Sequence, residues 1–368
     1  VQAATRTMYR RIGGFVRAIC TAGDYVFASD DFKVVQLHAA DFSQVKAWKL
    51  ESSVDLVLSL AATTIHGDDH DSCRVMLLAE GHLHGHLTIR RAVDSDVDED
   101  AAEHLHQEIM GSAVRAVAHG GGNHLAVGCE AGDVCLFEVV VVGRDQHCGF
   151  RLQLLSRLPT AGAIETVALS SSGRRLAVGR SGAGKEGLEL WAITHPRHDG
   201  AADDPNRAYD SDDESSRHLA KMNFDWQHRP FAYASPSDAS GDVYAVALLE
   251  EEDGTLLVLA GGADGSIVLW RVSPSTSAAK MQRVLQELLW HSLRAGPITA
   301  VAISQAGLVA AADDYEPPEG GPVGGTAKFL AREFDTGTSF DIALRSSRAE
   351  ECINPSCDTS GFWTGEWR

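Results

Sequence analysis

The sequence is short of cations: 32 Lys and Arg stand against 51 Asp and Glu in 368 residues, a formal charge of −19. That deficit works against a broad basic face able to neutralise phosphates, so direct nucleic-acid binding and attachment to an anionic membrane are both disfavoured. Cysteine is sparse and odd in number, seven residues with no C-x-x-C pair, which fits reduced thiols inside a cell rather than a disulfide framework. No Asn-x-Ser/Thr acceptor is present, because Asn354 is followed by Pro355. The longest apolar runs, such as 139–142 and 256–260, fall far short of the ~20 residues of a membrane-spanning helix. Val1-Gln2-Ala3-Ala4 offers neither an initiator Met nor an apolar signal core, and the chain reads as a processed or partial one. Also missing are a Gly-x-Ser-x-Gly elbow, a His-Glu-x-x-His helix and a dinucleotide fingerprint, so nucleophilic, zinc-hydrolase and hydride chemistry each lack a starting residue set.

What is present is a repeat. A four-residue pattern of alternating apolar and polar or small residues recurs at Val16-Arg-Ala-Ile19, Val54-Asp-Leu-Val57, Val114-Arg-Ala-Val117, Ile164-Glu-Thr-Val167, Val243-Tyr-Ala-Val246 and Ile298-Thr-Ala-Val301. A second strand follows each and ends on a small residue or its equivalent at Ser29, Glu80, Gly128, Gly179, Gly261, Ala312 and Gly365, steps of 51, 48, 51, 82, 51 and 53. Five of the six steps are near 50, and an insertion after Trp191 accounts for the sixth. A third strand starts at a glycine turn at Gly85, Gly132, Gly187 and Gly265, where a tight hairpin calls for positive φ. A fourth is expected at 44–50, 104–109, 150–157, 222–227, 282–290 and 338–344. Residues 278–294 also fit a helical period through Met281, Val284, Leu285, Leu288 and Leu289; their place in the repeat favours a strand. The fold implied is all-β: one domain over 1–368, a seven-bladed β-propeller of four-stranded antiparallel blades.

These residues resemble the WD-repeat β-propellers. Ile164–Gly179 followed by Leu188-Glu-Leu-Trp191 is similar to a blade of that family, as is 257–260 running through Ala263-Asp264-Gly265 to Leu269-Trp270. The family's polar network joins a His, a Ser/Thr, the turn Asp and the Trp; Asp264 and Trp270 match it, and His291 stands where the next unit's His would be. No unit carries the full set, so blade stability is expected to rest on apolar packing. Unit seven, at 351–356 and 361–365, shows two strands before Arg368; family members commonly close the ring with an N-terminal strand, and 5–12 is placed for that, with a further strand expected from additional chain or a partner.

Four features invite a chemical reading. Gly179-Arg-Ser-Gly-Ala-Gly184-Lys185-Glu186 comes within one residue of a phosphate-binding loop, but Glu186 replaces the metal-binding hydroxyl and no helix follows, so it reads as a hairpin. His66, His70, His82, His84, His86, His104 and His106 crowd one stretch with Asp68, Asp69 and Asp71; alternation scatters them, and a solvated blade edge is the preferred reading over a metal site. Cys352 and Cys357 are spaced wrongly for a redox pair or a zinc knuckle. Two acidic runs, 94–100 within an acidic loop at 93–103 and 210–216 within an insertion at 196–218, have the composition of disordered loops, and Ser95 and Ser211 each precede an acidic residue by three positions, as acidophilic kinase sites do.

No catalytic, cofactor or metal residue is therefore assigned. The function expected is a non-catalytic scaffold subunit of a multiprotein or ribonucleoprotein assembly, binding proteins of basic surface through its faces and loops, in cytoplasm or nucleus, with nucleolus, cilium and organelle matrix open. The competing class is an enzyme or metal-binding module built on acidic and His side chains at the central mouth.

Overall fold

Each repeat contains four strands because its apolar residues alternate within runs of five to ten, too short for helices of this period and separated by Gly, Asp and Ser turns. The computed structural model describes residues 16–50, 55–66, 74–92, 105–121, 123–142, 149–182, 187–193, 219–221, 241–272, 284–291, 297–303, 308–313, 327–332 and 339–342. All their regular elements are strands, in six antiparallel four-stranded sheets that follow chain order. Blade 1 is β1 (Ala18–Ala22), β2 (Tyr25–Ser29), β3 (Lys33–His38) and β4 (Gln44–Lys49); blade 2 is β5 (Val57–His66), β6 (Arg74–His82), β7 (His86–Arg91) and β8 (Leu105–Ile109). Blade 3 is β9 (Val114–His119), β10 (His124–Cys129), β11 (Asp133–Val142) and β12 (Gly149–Pro159); blade 4 is β13 (Ala163–Leu169), β14 (Arg175–Ser181), β15 (Leu188–Ile193) and β16 (Leu219–Lys221). Blade 5 is β17 (Val243–Glu250), β18 (Leu256–Gly262), β19 (Ser266–Val272) and β20 (Val284–His291); blade 6 is β21 (Ile298–Ile303), β22 (Leu308–Asp313), β23 (Ala327–Arg332) and β24 (Ser339–Ile342).

The first strand of each blade lies beside the first strand of the next, so the sheets radiate from a row of inner strands. The core consequently lies between blades: Phe27, Trp48, Val57 and Met76 join blades 1 and 2, Leu77, Ile89, Val114 and Leu125 join 2 and 3, and equivalent clusters fill the three following interfaces. Burial of a side chain of this size is worth about 1.5–3 kcal/mol, and blades 2 to 5 contribute on both faces. Close approach requires glycine at these interfaces. A Cβ on Gly128 would lie 2.4 Å from Ile164 Cγ2, and one on Gly261 would lie 2.3 Å from Ile298 Cγ2.

Three sequence expectations need correction. In unit two the small residue is Gly81, not Glu80: Gly81 pairs with Ser59 and faces Val114 as Gly128 faces Ile164. The inner-strand pattern of that unit is accordingly Val57-Leu-Ser-Leu60, not Val54–Val57, because strand β5 begins at Val57. The fourth strand of blade 4 lies at Leu219–Lys221, ahead of the expected 222–227, which falls outside the described residues. The ambiguous segment is a strand, β20. The seventh unit, 351–356 with 361–365, and the closing segment 5–12 lie outside the described residues, as do Ser95, Ser211, Lys185, Cys352 and Cys357.

Candidate functional site

Inner strands all start on one side of the blades, here the leading face, together with the hairpins between second and third strands. At the second residue of the repeat pattern the ladder skips one position in five blades: Leu58, Arg115, Glu165, Tyr244 and Thr299 each stand as an extra residue between two paired ones. Arg17 holds the same place in blade 1, one residue before the pair Ala18 and Ser29. A bulge of this kind turns its side chain out of the ladder. Six side chains of five kinds are thus presented at equivalent positions on one face.

Their surroundings are ionic. Arg17 Nε lies 2.6 Å from Asp31 Oδ1. Arg115 donates to Glu130 at 2.6 Å and, across the blade boundary, to Glu165 at 3.1 Å, and these carboxylates raise its already high pKa. Ser181 donates to the second oxygen of Glu165 at 2.6 Å. The Tyr244 phenol is pushed up by burial first and then by the charges of Asp242 and Glu165, so it stays a neutral donor.

Blade 2 brings together part of the histidine group. Asp55 Oδ2 lies 3.1 Å from His86 Nδ1 and 3.4 Å from His82 Nδ1, while Asp55 Oδ1 accepts the His84 N–H at 3.3 Å. His82 is 6% exposed, and its other ring nitrogen is 3.5 Å from Glu80. Glu80 is fully buried and takes both arms of Arg90, at 2.7 and 2.8 Å, while the Arg90 guanidinium lies 5.4 Å from the centre of the Trp48 ring in blade 1. The carboxylates here are occupied in joining a hairpin, a connecting loop and two blades. His106 is elsewhere, 3.6 Å from Glu108 on β8, and no group of three metal-ligating side chains converges among the described residues. Blade 4 buries a second ion pair, Arg180 with Glu189 at 3.0 Å, and Trp191 Nε1 donates to Glu189 at 3.1 Å.

The phosphate-loop-like string connects the paired strands β14 and β15; of its described amides, Arg180 N–H donates to the Gly187 carbonyl at 2.7 Å and Gly182 N–H to Asp242 at 2.9 Å, while 183–186 lie outside the described residues. In blade 5, Asp264 accepts from the Ser266 amide at 2.9 Å and its hydroxyl at 2.6 Å, and Trp270 is buried. On the opposite, trailing face a recess of about 410 Å³ is lined by Thr63, Thr64, His119, Asn123, Leu169 and Ser171. Burial pushes the His119 imidazole down to about 4, against a weaker upward pull from the His124 backbone.

Sequence reasoning singled out neither the bulge residues nor the two buried ion pairs. Their signals were a polar residue in second place of nearly every repeat and a lone acid within an apolar strand.

The fold has close counterparts. The WD40 repeats of RRP9 superpose with a TM-score of 0.52 over 91% of this chain and 82% of that one, at 13% identity. This chain has the WD-repeat β-propeller fold. Sqt1 from Chaetomium thermophilum bound to the N-terminus of the ribosomal protein L10 matches over 86% of this chain and 71% of its own, with a TM-score of 0.47 and 17% identity. The Cps50 (Swd1) propeller domain of Myceliophteria thermophila matches over 80% and 79%, with 0.46 and 12%. By sequence, no family model and no curated protein matches the propeller.

Proposed function

We propose that the protein is a non-catalytic scaffold that binds partner proteins of a larger assembly through the leading face of its propeller. One observation carries this: inner strands packed between neighbouring blades turn Leu58, Arg115, Glu165, Tyr244 and Thr299 out of the ladder at equivalent bulges, with Arg17 at the matching place in blade 1, an array suited to recognition. Acidic and His side chains do meet at Asp55, Glu80 and His82, the feature that would favour an enzyme, but the two carboxylates are engaged with Arg90, His84 and His86 in holding the blades. Arg17, Arg115 and Arg157 of this face are each paired with a carboxylate, and with the chain at −19 the partner is a protein of basic surface. Its place is intracellular, in cytoplasm or nucleus, and phosphorylation at Ser95 or Ser211 would deepen the negative field of the two acidic runs. The ring counts seven blades, the last built from residues beyond β24.

The test is affinity purification of the tagged full chain from its native cells. A leading-face double variant, Asp31→Lys with Glu130→Lys, is expected to lose the proteins that wild type brings down, while Glu252→Lys on a trailing-face hairpin keeps them. Equal recovery from all three would remove the leading face from the interaction.

A further inference from the structure

On the trailing face the ends of β5, β9 and β13 leave a recess between them. Strand β5 runs ten residues, and alternation turns Ala61, Thr63 and Ile65 toward blade 3, where Ala61 and Ile65 enter the shared apolar cluster. Val117 of β9 enters the same cluster, so His119, two residues on, faces that boundary from the other side. Beyond it the hairpin of blade 3 leans on blade 4. A Cβ on Gly120 would lie 2.7 Å from Leu169 Cβ, and one on Gly121 would lie 2.0 Å from the Ser171 carbonyl oxygen. His124 Nδ1 lies 3.2 Å from the Gly173 carbonyl oxygen, which ties the two hairpins together. The recess, about 410 Å³, is therefore preformed and has the size of a small-ligand site.

Its walls are polar but uncharged. Among the described residues that line it there is no Asp, Glu, Lys or Arg, and the His119 imidazole, pushed down to about 4 by burial, is neutral at pH 7. A charged ligand would give up its hydration here with no opposite charge to replace it. No Phe, Tyr or Trp lines the recess either, so a sugar or a base would find no ring to stack on. What it offers is the Thr63 and Ser171 hydroxyls and the Asn123 carboxamide, beside the apolar side chain of Leu169. None of these three polar side chains has a hydrogen-bond partner among the described residues, whereas the neighbouring Ser170 and Ser172 hydroxyls bond to each other at 3.1 Å. The Asn123 backbone is held in place, with φ at 58° and its carbonyl accepting the Val139 amide at 2.8 Å. Hydroxyls and a carboxamide can each donate and accept. We propose that the recess binds the side-chain carboxamide of a glutamine or asparagine presented by a partner protein, which brings two donors and an acceptor on an uncharged apolar stem. That a protein presents it rests on the scaffold reading above, whereas the recognition chemistry does not.

Methyl NMR of the full chain, read at Leu169 and Ile65, tests this. The probes are end-blocked pentapeptides, Gly-Gly-Gln-Gly-Gly and its counterparts with Glu, Lys or Leu at the centre. The Gln peptide is expected to shift both methyl signals to saturation, and the other three to shift them far less at equal concentration. Thr63→Val, which keeps the side-chain shape, and Asn123→Gly, which keeps the positive φ, should each weaken the Gln peptide by about threefold or more, the worth of one hydrogen bond. Absence of any shift at about 10 mM peptide, where even a free energy near −3 kcal/mol would show, overturns the proposal. So does an equal shift from the Leu peptide, which would make the recess an apolar contact only, or from the Glu or Lys peptide. Gln binding that both variants leave unchanged overturns it as well. The signals report on the trailing face alone, so a failure here leaves the leading-face purification standing, and the reverse holds too.

Discussion

His119 shows how a single half-buried side chain sets a pH limit on the fold. An unfolded chain takes up the imidazole proton near 6.5, whereas the folded one resists it down to about 4 because both ring nitrogens are buried and burial penalises the charged form, outweighing the pull from the His124 backbone. Between those values the unfolded state binds more protons. Stability from this residue is therefore complete above pH 6.5 and lost as pH falls toward 4, by at most about 3 kcal/mol. His119→Leu should leave stability at pH 7.5 nearly unchanged and flatten its decline between pH 6.5 and 4, read by urea unfolding at a series of pH values; parallel pH curves for the two proteins would contradict this. The thiols give a second test at the same scale. Burial pushes Cys20 and Cys129 up to about 12 and Cys135 to about 11, so all three are protonated in the native protein, with Cys129 and Cys135 buried and Cys20 half-buried. Iodoacetamide at pH 8 should spare them until urea is added, and mass mapping will show whether it does.

Strands and hairpins were the most legible part of the molecule, since alternation and glycine turns are local signals. The glycines opening third strands were expected to need positive φ, and Gly85, Gly132 and Gly265 have it, at 83°, 94° and 76°. Gly187 is required for a different reason, its hydrogen lying where a Cβ would be 1.6 Å from the Gly241 carbonyl. Such close approaches depend on a neighbouring blade and leave no local trace. Gly132 combines both demands, with the carbonyls of Thr160 and Gly162 each 2.7 Å from a Cβ. Gly132→Ala is expected to cost about 1–3 kcal/mol and to lower the melting temperature more than Gly111→Ala, which meets the same positive-φ strain at 85° but has open space around it. Unit two was misread by one residue because Glu80 stands beside the true interface glycine, and only the partner strand, carrying Ser59 opposite Gly81, separates the two. The site was less legible than the strands for a related reason. A polar second residue in most repeats could be read, but its exit from the ladder as a bulge depends on pairing across the sheet.

Over the whole molecule the charge is divided from the core. Apolar side chains between blades hold the fold, while much of the acidic excess lies in connections, including the runs 94–100 and 210–216, which join β7 to β8 and β15 to β16. In blade 4, Leu188, Leu190 and Ile193 of β15 are buried against blades on both sides without help from that connection. Replacing 196–218 by a short Gly-Ser linker should therefore leave the melting temperature within a few degrees; loss of soluble protein would show that the segment is structural.

Binding should respond differently from stability. A field of clustered carboxylates attracts a basic partner over about 10 Å at 0.1 M salt and over about 3 Å at 1 M, so its contribution is large in dilute buffer and nearly absent in concentrated buffer. Changing Asp94, Asp96, Asp98, Glu99 and Asp100 to their amides removes five charges without altering side-chain size. Against the protein recovered by affinity purification, this variant is expected to associate more slowly than wild type at 50 mM salt and to converge with it at 1 M, while dissociation changes less, because steering acts on encounter. Equal association rates at low salt would place the acidic run outside the encounter surface and leave recognition to the side chains turned out at the inner-strand bulges.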